Sequence, residues 1–287
     1  MLSHVERVQI VVRDREAAAA TWGDLFGAEK VGEDGVRYLN AHRTTVQAGV
    51  SLFDFLEPAG PGPVADFAAK WTSGLYGVGF SSMHQQSLAR QFDALGARYV
   101  EEKGHLYLAP DATHGMPTVI TPHVPRAAVG HIRCLYEVTN PVADAAATTA
   151  HYAELFGLDE RRFSHIESKL YGYRGSLTLF NPPAYLDRVE VTETFGGGAM
   201  DRFYQRRGPG LYMCYIETDE VTALAGRLRA RGARFTDSED RPPETGLFIH
   251  PSAIEGMLMG VSRTNYAWVW SGRPDLASAE AAAYAAH

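Results

Sequence analysis

The sequence predicts an α+β chain in which one β-α-β-β-β plan is used four times. Three observations carry this. Asp201 to Asp219 (DRFYQRRGPGLYMCYIETD) echoes Asp66 to Ser82 (DFAAKWTSGLYGVGFSS): a short amphipathic helix anchored by Phe203 or Phe67 passes through a glycine turn into Gly-Leu-Tyr and a strand. The helix after each of those strands stops at Gly-Ala-Arg, at Gly96-Ala97-Arg98 and Gly232-Ala233-Arg234. The first helix of each half closes on Leu25-Phe26-Gly27 or Leu155-Phe156-Gly157. Matched helix stops over so long a repeat mark a chain built twice from one plan.

The elements follow in order. Val5–Val12 is rich in β-branched residues and reads as a strand; Asp14 is placed to cap a helix that runs to Phe26 and stops at Gly27. Strand-like pieces follow at Val36–Leu39, Thr44–Ala48 and Val50–Leu56, ended by the loop from Pro58 to Pro63. The second unit is strand Tyr76–Ser82, helix Gln85–Leu95 and strands Arg98–Glu101, His105–Ala109 and Thr118–Thr121. Pro122 to Val129 reads as a linker.

The second half begins again with strand Ile132–Thr139 and a helix capped by Asp144. Strands are expected at Lys169–Tyr173, Ser176–Phe180 and Arg188–Glu193. The fourth unit is strand Leu211–Thr218, helix Val221–Arg231 and strands Arg234–Thr236, Gly246–His250 and Gly256–Val261. The turn Pro251 to Gly256 mirrors Pro110 to Gly115. This divides the chain into domains at 1–124 and 128–268, with an alanine-rich tail at 269–287.

Composition narrows the function classes. With 287 residues, 45% apolar and 21% charged, the chain can bury two ordinary cores. A net charge of −7 argues against nucleic acid or a polybasic membrane contact. Cys134 and Cys214 sit in apolar strand-like runs and read as buried thiols of a reducing compartment, with no zinc spacing. His4, Glu6 and Arg7 leave no apolar core for a signal peptide, and no apolar run approaches a membrane span. A cytoplasmic location and a small, partly apolar ligand are the expectations.

Four β-α-β-β-β units, with Arg13-Asp14 before the first helix, Asp54-Phe55-Leu56-Glu57-Pro58, Arg207-Gly208-Pro209-Gly210-Leu211-Tyr212, and His250-Pro251 leading to Gly256-Met257-Leu258, resemble the vicinal oxygen chelate superfamily. Its members include glyoxalase I, methylmalonyl-CoA epimerase, extradiol dioxygenases and bleomycin-resistance proteins. The resemblance covers nearly the whole chain except the tail. It implies units paired into two domains whose curled mixed sheets each enclose a cleft. Relatives often pair through their sheets, so a homodimer is compatible with it. Metal-dependent relatives place ligands on inward positions of four strands. Counted from the capping aspartates, those positions hold Arg7, Asp54, Gly77 and Val119 in the first half, and Glu137, Glu190, Met213 and Gly260 in the second. Neither set suits a divalent ion, which takes three or four protein ligands. Pro141 leaves a four-residue slip open, in which the first position would be Arg133, of the same inward parity as Glu137.

The second cleft is therefore the expected site, with Glu137, Glu190 and Tyr212 as catalytic residues. Two carboxyls about 4 Å apart repel by ~4 kcal/mol at an effective dielectric near 20, or ~3 pKa units, enough to leave one protonated near neutrality. Such a pair makes a general base and acid for proton removal beside a carbonyl, epimerisation or β-elimination. Tyr212 and Tyr215 could donate to an enolate oxygen, and Arg133 could hold a substrate carboxylate. Met213 and Met259 offer an adaptable apolar wall, His131 shares the inward parity, and Arg7, Asp54 and Tyr76 line the first cleft. The plainer reading makes Glu137–Arg133 and Glu190–Arg188 structural ion pairs. Three functions remain: a metal-independent lyase or isomerase without cofactor, a non-catalytic binding or resistance protein, and a metal-dependent dioxygenase or glyoxalase with its ion near Glu137 and Glu190. Gly196-Gly197-Gly198 reads as a loop suited to cover the cleft.

Overall fold

A computed structural model describes residues 1–237 and 243–278; the end of the alanine-rich tail lies outside them. The first half runs β1 (His4–Val11), α1 (Arg15–Phe26), β2 (Glu29–Val36), β3 (Ala41–Ala48), β4 (Ser51–Pro58), α2 (Pro63–Trp71), β5 (Gly74–Ser82), α3 (Gln85–Leu95), β6 (Tyr99–Glu102), β7 (His105–Leu108) and β8 (Thr118–Pro122). The second repeats it: β9 (Cys134–Pro141), α4 (Ala145–Phe156), β10 (Ser164–Ser168), β11 (Tyr173–Leu177), β12 (Arg188–Thr194), α5 (Ala199–Arg207), β13 (Met213–Thr218), α6 (Val221–Ala230), β14 (Phe235–Asp237), β15 (Gly246–Ile249) and β16 (Leu258–Arg263). Each half forms one eight-stranded mixed sheet, ordered β2-β3-β4-β1-β5-β8-β7-β6 or β10-β11-β12-β9-β13-β16-β15-β14.

Local chemistry sets the element ends. Asp14 accepts from the N–H groups of Glu16 and Ala17 at 3.0 Å, and Asp144 from that of Ala147 at 2.9 Å. Gly27 and Gly157 close the same helices at φ 65° and 63°. Two strands lie elsewhere than the sequence indicated. Residues 37–40 form a turn after β2, and 169–172 a turn after β10. Both strands lie at a sheet edge, β2 mostly exposed and β10 nowhere fully buried, and neither shows a clear apolar alternation.

The helix-covered faces of both sheets share one core. Val8, Ile10 and Trp22 belong to the same buried cluster as Val138, Phe156 and Ile216. Helix α1 packs on α6 and α3 on α4, with Phe80 edge-on to Phe156 at 5.8 Å. The other face of each sheet carries a separate cluster. In the first half Val11, Tyr76, Tyr107 and Val119 fill it; in the second Tyr136, Met213, Tyr215 and Trp268 belong to it. Leu276 and Ala277 also pack on this second cluster, so the chain beyond residue 268 still covers the C-terminal half.

The mirrored Pro-to-Gly turns lock the halves together crosswise. A Cβ on Gly115 (φ 83°) would lie 2.2 Å from the carbonyl oxygen of Pro209, beside the second Gly-Leu-Tyr. A Cβ on Gly256 (φ 79°) would lie 2.9 Å from that of Ser73, beside the first. Gly115→Ala combines left-handed strain with a backbone clash and should cost about 3 kcal/mol or more in urea unfolding. Gly96→Ala, at φ 67° with open space around it, should cost only about 1–2 kcal/mol.

Candidate active site in the C-terminal half

The strand registers fix which residues correspond. Arg7 faces Gly79 as Glu137 faces Tyr215, and Gln9 pairs with Asp54 as Thr139 pairs with Glu190. The unslipped alignment therefore holds, and Glu137 takes the first inward position. Both first strands carry a bulge there, between Val5 and Arg7 and at Tyr136. A bulge reverses the side-chain parity of everything before it. This is why Arg133 and His131 do not point into the cleft. Arg133 bridges Asp219 at 3.6 Å and His131 bridges Glu220 at 3.4 Å, both outside it. Met259 also lies elsewhere: its neighbours Leu258 and Gly260 face the cleft, and its side chain is buried in the shared core.

The first cleft is closed by its own side chains. Arg7 donates to Asp54 at 3.1 Å, Arg43 donates to the same oxygen at 3.4 Å, and Thr45 adds a bond at 2.7 Å. Burial opposes ionisation of Asp54, but the two guanidinium groups outweigh it and hold the carboxyl below its usual range. The stem of Arg7 crosses Gly79, where a Cβ would come within 2.2 Å of its Cγ. Tyr76 packs edge-on against Phe67 at 5.5 Å and completes the apolar filling.

The second cleft is open. A cavity of about 630 Å³ is lined by Glu190, Tyr173, Tyr212, Met213, Tyr215 and Trp270, among others, with Gly198 to Met200 at the start of α5 also on its wall. Glu190 is its inner carboxyl. Thr139 donates to it at 2.7 Å, Tyr173 lines the cavity beside it, and the Glu137 carboxyl is close enough for its charge to act on it. Glu137 lies behind, fully buried, and accepts from Arg188 Nε at 2.6 Å. Arg188 is itself wholly buried, stacked 4.9 Å from the Tyr136 ring, and donates also to the Leu186 carbonyl. The ion pair thus joins Glu137 to Arg188, not to Arg133, and among the described residues no cation bridges Glu190.

This arrangement sets the titration of Glu190. Burial first, then the charge of Glu137, push its pKa up to about 8, against the Thr139 hydrogen bond and the more distant Arg188. A second buried acid, Glu217, is pushed up to about 7 by burial although the Asn265 N–H donates to it at 2.8 Å. Burial also raises the Tyr212 hydroxyl, keeping it a donor over the neutral range.

The residues do not fit the ion that metal-dependent relatives hold. Glu137 is taken by a guanidinium, Met213 offers a soft thioether, and Gly260 has no side chain; a Cβ there would meet the Tyr215 ring at 2.1 Å. Among the described residues no three His, Cys, Asp or Glu side chains converge. Sequence reading missed Tyr173 and Trp270. Tyr173 starts β11 rather than ending a strand, and Trp270 comes from a 3₁₀ turn beyond the last repeat.

Residues 128–257 match the model of the Glyoxalase/Bleomycin resistance protein/Dioxygenase superfamily. No curated protein matches the chain. A triple mutant of 4-hydroxymandelate synthase from Streptomyces coelicolor is similar over 92% of this chain and 93% of its own, at 14% identity and a TM-score of 0.72, which shows the fold. Methylmalonyl-CoA epimerase from Mycobacterium tuberculosis aligns with 48% of this chain and 92% of its own, at 21% identity and a TM-score of 0.41.

The paired acids make stability depend on pH. An acid whose folded pKa exceeds its unfolded value, about 4.3, binds more protons folded than unfolded. Its stabilisation is whole below that value and is lost as pH rises through the folded pKa. Urea unfolding should therefore show stability falling between about pH 5 and pH 8, by up to ~1.4 kcal/mol per pH unit for each acid. Glu217→Gln should flatten the lower part of this window and Glu190→Gln should flatten it up to its top.

The C-terminal half thus matches the Glyoxalase/Bleomycin resistance protein/Dioxygenase superfamily over residues 128–257, and the doubled architecture shares its fold with the 4-hydroxymandelate synthase mutant.

Proposed function

We propose that the C-terminal cleft is the active site of a metal-independent lyase or isomerase that moves a proton beside a carbonyl group of a small, partly apolar substrate. One observation carries the reading: the inner carboxyl of the cavity, Glu190, titrates near neutrality because it is buried against a second carboxyl whose charge Arg188 already compensates. A group with a pKa close to the working pH can take a proton and return it within one cycle. Ionised Glu190 removes the proton α to the carbonyl, and the electron pair moves onto the carbonyl oxygen as an enolate. Tyr212 or Tyr215, both on the cavity wall, donates to that oxygen. Protonated Glu190 then returns the proton to carbon, giving the isomer, or to a leaving group, giving the alkene. Glu137 is a positioning residue, acting through Glu190 rather than touching substrate, whereas Tyr173 lies on the cavity wall. The rings and thioethers of the wall exclude water and favour an apolar body on the substrate.

Proton exchange tests this without knowing the product. Small α-substituted carbonyl compounds are incubated with the protein in D₂O, and loss of the α-proton is followed by NMR. Wild type should exchange a subset of them, faster as pH rises and levelling off above about 8, where Glu190 is ionised. Glu190→Gln should lose about 10²-fold or more, and a chelator should change nothing. Exchange that survives Glu190→Gln, or that disappears with the chelator, contradicts the reading. Ligands that raise the melting temperature with no exchange in any variant would favour the binding-protein alternative.

A further inference from the structure

A second groove, of about 320 Å³, opens between the halves where helices α2 and α5 face each other. Its walls are apolar, with Phe67, Tyr76, Phe203 and Leu211 among them. Its lip is cationic although the whole chain carries a net charge of −7. Lys70, Arg206 and Arg207 gather around one indole, with their charged groups 5.9, 5.4 and 4.3 Å from the centre of the Trp71 ring. Arg207 is also 5.2 Å from the ring of Phe203, so its guanidinium is held between two aromatic faces.

Stacking uses the face of a guanidinium and leaves its N–H edge for an acceptor. None is supplied from within: among the described residues, the side chains of Lys70, Arg206 and Arg207 make no hydrogen bond or ion pair. Asp66 lies on the groove wall but bridges none of them. Burial and the neighbouring Arg206 charge both disfavour the charged form of Arg207. Three like charges around one ring, with a half-buried and pre-oriented guanidinium edge beside an apolar trough, are complementary to an anion with a flat apolar body. We infer that this interdomain groove binds a small aromatic carboxylate, its carboxylate on Arg207 with Lys70 and Arg206 nearby, and its ring in the trough between Phe67 and Phe203. The inference stands apart from the reaction in the C-terminal cleft.

Calorimetric titration of the full chain with 1-naphthoate and with uncharged 1-naphthamide tests it. The carboxylate should bind about ten-fold or more tightly than the amide, and should change tryptophan emission in wild type but much less in Trp71→Phe. Arg207→Gln should lose about ten-fold in naphthoate affinity, and Lys70→Gln, at an exposed position that folding does not depend on, should lose a smaller factor. The inference is overturned if neither compound binds, if both bind alike, or if Arg207→Gln and Lys70→Gln both bind naphthoate as wild type does.

Discussion

Arg188, Glu137 and Glu190 share one buried site on the inner face of the second sheet, and one guanidinium cannot neutralise two carboxylates there. Taking a charge out of water costs several kcal/mol unless it is paired and hydrogen-bonded. The site resolves the conflict by pairing Glu137 with Arg188 and leaving Glu190 to be neutralised by a proton. The cavity opens onto the carboxyl that carries that proton. Thr139 orients it, and the Tyr136 ring stacks against the guanidinium.

Duplication makes the comparison internal. The same two positions hold Arg7 and Asp54 in the first half, a cation and an anion that compensate each other, with Arg43 added. At those positions the charges meet each other, and side chains including Tyr76, Tyr107 and Val119 fill the cleft face. Replacing the cation by Glu137 in the second half creates the mismatch, while Gly260 and Tyr215 open and line the space beside it. The halves also depend on each other for shape: each Pro-to-Gly turn rests on the other half's Gly-Leu-Tyr segment, and the helices pair across the shared core.

Much of this was legible in the sequence because its signals are local. Asp14 and Asp144 cap helices that glycines close, and counting back from them finds Arg7 and Glu137. Glu190, Met213 and Tyr215 could be placed by alternation along well-patterned strands, and Tyr212 by the repeated Gly-Leu-Tyr entry. What stayed hidden depends on tertiary pairing. A bulge at Tyr136 leaves no mark on composition, yet it turns Arg133 and His131 away. Edge strands β2 and β10 carry few apolar residues, so β11 was placed too late and Tyr173 was passed over. Which carboxylate Arg188 would choose is decided by the distance between β9 and β12 side chains, which no spacing rule supplies.

The most direct measurement is an infrared titration of the protonated carboxyl band, made in a Glu217→Gln background and compared with the same protein carrying Glu190→Gln as well. The account predicts a carboxyl that is still protonated at neutral pH, loses its band around pH 8 and is missing when Glu190 is replaced. A spectrum in which every glutamate is ionised by about pH 6, with no difference on replacing Glu190, would contradict it.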